Sequence, residues 1–228
     1  AQNTPVSQME KLDRGLVALP NQSGGGKFVS WRYLGTDDPV RTTFNLKRNG
    51  VVIKEGLLVT NYKDTGGSNS SEYVVETVVD GKVVETSAPV KAWENAWLKL
   101  PLSRPAGGST KSGAFTYSPN DCSVGDVDGD GEYELFVKWD PSNSKDNSQD
   151  GYTGNVIIDC YKLNGTLLWR IDLGSNIRAG AHYTQFMVYD FDGDGKAEMM
   201  CKTAPGSKDA AGTYVNQATD DANIKKAD

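Results

Sequence analysis

Cysteine is scarce in this sequence of 228 residues: Cys122, Cys160 and Cys201 are its three cysteines, too few to close a disulfide framework. Each falls in or near an apolar, strand-like run, so they are read as free buried thiols. Long hydrophobic runs are missing, which excludes a helical membrane span. An excess of positive charge is missing too. The net charge is -6, which argues against nucleic acid as a partner. The chain starts at Ala1, with no initiator methionine and no signal peptide. A processed secreted chain starts this way, as does a trimmed one, and the expected location is secreted, periplasmic or cell-surface.

What the sequence does have is turn residues and strand formers. There are 25 glycines, and Val, Thr, Tyr and Trp recur between them, a texture that favours an all-β fold. Residues 1–103 read as short strands. "KFVSWRYLG" alternates. "TTFNLKRNGVVIKEG" is a hairpin about Asn49–Gly50, and "EYVVETVVDGKVVET" another about Asp80–Gly81. Such spacing predicts a fibronectin III-like or immunoglobulin-like β-sandwich, with Trp31 as its core aromatic. The Pro/Gly/Ser-rich stretch at residues 104–113 is the expected linker. From residue 114 the texture changes. "CSVGDVDGDGEYELFVKW" and "FMVYDFDGDGKAEMMCKT" align 64 positions apart, with two further strands between them around Asn164–Gly165. Units of several strands repeated in this way read as propeller blades.

The two aligned segments hold nine of the chain's 30 acidic residues but three of its 24 basic ones, so the remainder is balanced at 21 of each. The acidity is local. In the pattern D-x-D-x-D-G-x-x-E, alternate side chains turn toward one point and Gly permits the sharp turn, a set of hard oxygen donors suited to Ca²⁺. The first loop offers Asp126, Asp128, Asp130 and Glu134, with the Glu132 carbonyl at the seventh position. The second offers Asp190, Asp192, Asp194 and Glu198, with the Lys196 carbonyl. An EF-hand or dockerin loop needs an acid at position twelve, where these loops have Val137 and Cys201 inside apolar runs. They are therefore expected to join two strands, with the ion cancelling the repulsion and stapling the turn. Two such ions take the formal charge from -6 to about -2.

The segments "MEKLDRGLVALPNQSGGGKFVSWRYLGTD", "NDCSVGDVDGDGEYELFVKWDPSNSKDNSQDGYTGNV" and "LWRIDLGSNIRAGAHYTQFMVYDFDGDGKAEMMCKTAPG" resemble the N-terminal part of the rhamnogalacturonan lyases of polysaccharide lyase family 11. The resemblance runs over nearly the whole sequence. It implies a sandwich followed by an eight-bladed propeller rich in Ca²⁺, and cleavage of the rhamnose–galacturonate bond in the rhamnogalacturonan I backbone of pectin. From Gly113 onward there is room for about two blades, and propellers need at least four. The chain is therefore expected to be a fragment, partnered by the remaining C-terminal part of the same propeller.

The chemistry that the resemblance implies is β-elimination. A base takes the C5 proton of galacturonate, the carboxylate is neutralised, and the bond to O4 breaks. No base is assigned within this chain; it is expected in the remaining part. The candidate substrate-binding residues are Asn120, Asp140, Arg178 and His182. Asn120 is expected just before a strand that ends at Gly125, and Asp140 just after a strand over Leu135–Trp139, which would make them neighbours at the end of the sheet away from the metal. Asn and Asp suit rhamnose hydroxyls, and Arg178 suits a galacturonate carboxylate. His182, the single histidine, lies beside this motif with Thr184, opposite Lys202 and Thr203. The alternative is a non-catalytic, calcium-stabilised carbohydrate-binding or adhesion propeller.

Overall fold

A computed structural model describes residues 10–180, 182 and 184–224. Among these it is all-β, sixteen strands and one short 3-10 helix at Ala218–Asn223, with no helix long and apolar enough to cross a membrane. The chain divides into two compact units, Leu12–Lys99 and a second made of residues 1–11 and Leu100–Asp228.

The first unit contains β1 (Val17–Pro20), β2 (Lys27–Ser30), β3 (Thr42–Arg48), β4 (Val51–Leu57), β5 (Asn61–Asp64), β6 (Glu72–Val79), β7 (Lys82–Thr86) and β8 (Val90–Lys91). One sheet runs β1-β2-β5 and the other β4-β3-β6-β7, with β8 pairing on β6. All pairs are antiparallel. On β3, Thr42, Phe44 and Leu46 are buried while their alternate neighbours are only partly so, the period-two signature of a sheet with one packed face. Ala18 and Val29 from one sheet and Phe44, Leu46, Tyr73 and Val75 from the other meet in one apolar core, consistent with a β-sandwich. Trp31 lies in that core, edge-on to Phe44. The two expected hairpin turns form, with positive φ at Asn49, Gly50, Asp80 and Gly81.

The second unit contains β9 (Gly108–Thr110), β10 (Gly113–Phe115), β11 (Tyr117–Gly125), β12 (Glu134–Pro141), β13 (Ile157–Tyr161), β14 (Leu167–Asp172), β15 (Phe186–Tyr189) and β16 (Glu198–Cys201). Strands β11 to β14 form an antiparallel sheet in chain order and, among the described residues, β15 pairs with β16 alone. The sheet is packed on both faces. Val137, Trp139, Ile157 and Tyr161 face one cluster, while Ile158 faces a second with Val156, Leu173 and Ile177.

Residues 104–113 are more than linker: they carry β9 and the start of β10, paired as a hairpin. The run before them belongs to the second unit because Leu100 and Leu102 pack against the Trp139 cluster. The Tyr161 hydroxyl accepts from the Ser103 N–H at 3.1 Å. Of the three cysteines, all free, Cys160 is buried, Cys201 half-buried and Cys122 exposed. The expectation of a buried thiol at Cys122 is thus corrected: it sits on β11, the outer strand of the four-stranded sheet.

Candidate metal loops and the far end of the sheet

Each acidic segment is the connection of a hairpin. The first lies between β11 and β12, the second between β15 and β16. The backbone builds the two in the same way. Gly129 and Gly131 take φ of 79° and 93°, and Gly193 and Gly195 take the same values, a region that glycine enters at no steric cost.

The hydrogen bonds repeat as well. Asp126 accepts the N–H groups of Gly129 and Gly131 at 2.7 and 2.9 Å. Asp190 accepts those of Gly193 and Gly195 at 2.6 and 2.9 Å. Glu134 reaches back to the Val127 N–H and Glu198 to the Phe191 N–H, both at 2.9 Å. Asp130 accepts from Glu132 and Asp194 from Lys196, again at 2.9 Å. One carboxylate at the start of each loop thus winds the chain around itself.

Carboxylate oxygens of Asp126, Asp128 and Glu134 lie within 4.8 Å of one another, as do those of Asp190, Asp192 and Asp194. The structure therefore brings together three of the four expected side-chain donors in each loop, leaving Asp130 outside the first trio and Glu198 outside the second. Asp126 is 0% exposed and Glu134 1%. Burial pushes the Glu134 carboxyl up, Asp128 and Asp130 add to this, and the Val127 N–H opposes it. A cation is drawn to these charges: the Lys162 ammonium stands 2.5 Å from Asp128 and 2.9 Å from Asp130. Its hydrogen bonds to Asp128 and Asp130 raise its pKa.

Oxygen-only donors, two of them withdrawn from water, fit a hard divalent ion such as Ca²⁺. Asp126, Asp128, Asp130, Glu134 and the Glu132 carbonyl would hold it in the first loop. Asp190, Asp192, Asp194, Glu198 and the Lys196 carbonyl would do so in the second. The Lys196 side chain is turned away to the first loop, where a Cβ on Gly129 would stand 3.1 Å from its Cε.

The two loops touch. The Ala197 N–H donates to the Asp126 carbonyl at 2.7 Å. A Cβ on Gly125 would lie 2.6 Å from both Ala197 Cβ and Val188 Cγ1. The second copy carries Tyr189 at the position matching Gly125. Only glycine fits where one copy leans on the other.

At the far end of the sheet the expected geometry needs correcting. β11 begins at Tyr117, four residues earlier than expected, and Asp140 stands opposite Ser118. Asn120 and Asp121 fall in a bulge between the pairs Pro119–Trp139 and Cys122–Val137, so both stand opposite Lys138. Asp140 follows two residues later on the same side of β12 and accepts from the Ser144 hydroxyl at 2.9 Å. Six residues separate it from Glu134, about 20 Å along the strand.

Arg178 has a different task from the expected one. Its guanidinium donates to the carbonyls of Lys145, Asp146 and Gly151 at 3.2, 3.3 and 2.8 Å, and also to that of Gln149. Four bonds from a group with five N–H donors turn most of it to organising the loop after Asp140, and a two-bond pairing with a sugar carboxylate would have to break at least one of them. The Lys145 N–H is held by the Ala179 carbonyl at 2.9 Å, on the same segment as Arg178.

His182 is 84% exposed, with Nδ1 3.7 Å from Asp146 of that loop. The turn that presents it is tight: Thr184 has φ of 67° and its hydroxyl donates to the Arg178 carbonyl at 2.9 Å. The β15–β16 pairing ends at Phe186–Cys201, so His182 and Thr184, like Lys202 and Thr203, lie beyond its last pair, away from the acidic loop.

Two residues here carry no assignment from the sequence: Lys138, which stands 64 positions before Lys202, and Asp121, between Asn120 and Cys122. Their spacing gave a signal only once the bulge was known.

Comparison with known proteins bears on all of this. Residues 97–227 match the model of the "Rhamnogalacturonan lyase family 11, C-terminal domain", and residues 7–93 that of the "Rhamnogalacturonan I lyases beta-sheet domain". The chain is 57% identical over 216 residues to the rhamnogalacturonan endolyase YesW of Bacillus subtilis, covering 94% of this chain and 34% of that protein. It is 56% identical over 211 residues to the rhamnogalacturonan exolyase YesX of the same organism, covering 91% and 34%. The crystal structure of the exotype lyase YesX superposes with a TM-score of 0.86 at 54% identity, over 92% of this chain and 35% of that one. The chain spans about a third of the length of the curated relatives it matches. With the family model covering more than half of its residues, the chain belongs to rhamnogalacturonan lyase family 11.

Proposed function

We propose that this chain is part of a polysaccharide lyase that cleaves the rhamnose–galacturonate bond of the rhamnogalacturonan I backbone by β-elimination. The observation that carries the reading is 57% identity, over nearly all of this chain, to a rhamnogalacturonan endolyase. The first unit then serves as a fibronectin III-like sandwich, and β11 onward as the first blades of a larger calcium-stapled propeller. The remaining blades come from the C-terminal part of the same protein. A four-stranded antiparallel sheet in chain order, followed by a repeat of its first hairpin, supports this.

The two acidic loops would hold Ca²⁺, whose task there is to fix the turns. Asn120, Asp140 and His182 at the other end would face the sugar chain. Asn120 and Asp140 would take rhamnose hydroxyls, and Arg178 would shape the loop beside them. The base that removes the C5 proton lies outside the residues assigned here. Secretion to the cell surface or beyond follows from the size of a pectic substrate. Endolytic and exolytic relatives are almost equally similar to this third of their length, so similarity over this region does not distinguish the two cleavage modes. The non-catalytic alternative is not favoured, because the relatives are named as lyases.

The test is to incubate the full-length polypeptide with rhamnogalacturonan I and follow the ultraviolet absorbance of unsaturated uronate. Its appearance is expected. Tight binding of the polymer without new absorbance would favour the adhesion or carbohydrate-binding reading.

A further inference from the structure

Among the described residues of the second unit, Lys138 is the most deeply buried ammonium-bearing side chain, 2% exposed between Val137 and Trp139 on β12. Lysine is rarely buried this far, and an ammonium withdrawn from water is costly unless it is paired. Its partner is Asp121, 2.6 Å away, whose own side chain remains 49% exposed. The pair is made possible by the bulge. A regular ladder would set one β11 residue opposite Lys138, whereas here Asn120 and Asp121 share that place. A bulge gives up ladder hydrogen bonds to re-aim a side chain, and bulges concentrate beside active sites. Buried on one side and open on the other, the pair holds a carboxylate at the surface from beneath.

Position gives it a use. Asp121 is adjacent to Asn120, and Lys138 precedes Asp140 by two residues on the same face of β12. A free carboxylate there would repel a polyanionic galacturonate chain. One compensated by an ammonium adds no net charge, yet keeps strong acceptors for sugar hydroxyls. The aligned lysine of the second copy, Lys202, lies beyond the end of β16 and is exposed, so the arrangement belongs to the first copy.

We infer that Asp121 is a third substrate-contacting group beside Asn120 and Asp140, accepting hydroxyls of a neutral sugar residue, and that Lys138 is its positioning residue. The inference rests on the assignment of substrate to this end of the sheet.

The test uses the full-length enzyme and rhamnogalacturonan I as probe. Asp121→Asn is expected to lower kcat/KM about ten- to hundredfold, the loss of one charge-assisted hydrogen bond, chiefly through KM, with little change in melting temperature. Lys138→Met is expected to lower kcat/KM alone, but to lower it no further once Asp121→Asn is present, since it acts through Asp121. Independent, additive losses would overturn the positioning role. Wild-type kinetics in Asp121→Asn, with Asn120→Ala and Asp140→Ala impaired, would overturn the inference and leave the substrate assignment standing. Wild-type kinetics in all three would remove that assignment, and the inference with it. Should Asp121→Asn fail to fold, Asp121→Glu, which keeps the charge but moves it by a methylene, is expected to raise KM; an unchanged KM there would also overturn the inference.

Discussion

The two acidic hairpins are the same object in different surroundings. Their glycines share φ values and their carboxylates accept the same N–H groups. Yet Asp126 and Glu134 are sealed from water, while Glu198 is half-exposed. The first hairpin is flanked by β13 and β14; the second, among the described residues, is a two-stranded sheet. Lys162, from the β13–β14 turn, pairs with the first loop, and none of the ion pairs among the described residues involves Asp190, Asp192 or Asp194. Loop geometry is thus written locally by nine residues, whereas the burial that would tighten an ion is supplied by neighbouring strands.

The largest expected effect tests those neighbours. Asp159 on β13 is fully buried and accepts from Trp139 Nε1 and Arg170 Nε, each at 2.7 Å, and from the Tyr161 hydroxyl at 2.6 Å. Burial and the Asp159 carboxylate push the Tyr161 phenol up to about 12. Removing one partner of such a buried pair costs about 3–5 kcal/mol. Asp159→Ala should lose that much in chemical denaturation, and the first loop should then become as open to hydrogen exchange as the second. A loop that keeps its protection would break the link between flanking strands and burial.

Next in size is metal removal. Ligand present at a hundred times its Kd stabilises a fold by about 2.7 kcal/mol per site. Chelation should lower the melting temperature, and Asp128→Ala and Asp192→Ala should each reduce bound Ca²⁺ by one ion per chain. If either variant keeps both metal content and melting temperature, the loops are alike in backbone and unlike in use.

The smallest effect sharpens the asymmetry at the seam. Gly125→Ala places a methyl group 2.6 Å from Ala197 and Val188, an overpacking worth about 1–3 kcal/mol. Tyr189→Ala, at the matching position on the open copy, should be close to neutral by the same melting measurement.

Much of this was legible in the residues. Asn49–Gly50 and Asp80–Gly81 announced their hairpins because few other pairs tolerate positive φ. The 64-residue spacing announced two loops of one kind because both carry carboxylates and glycines at the same alternate positions. The bulge at Asn120–Asp121 was not legible: a two-residue period does not reveal where a ladder gains a residue. Nor was the role of Arg178, whose partners are backbone carbonyls, which every residue possesses. The boundary at Lys99 was missed because Leu100 and Leu102 look like part of the preceding unit and are claimed by the next.

Arg178 also sets an order in time. The carbonyl of Gly151 that it clamps lies 27 positions earlier in the chain. On a ribosome adding about 5–20 residues per second, the loop after Asp140 is therefore made roughly one to five seconds before the side chain that closes it. Throughout that interval the segment lacks the four bonds that shape it in the finished protein.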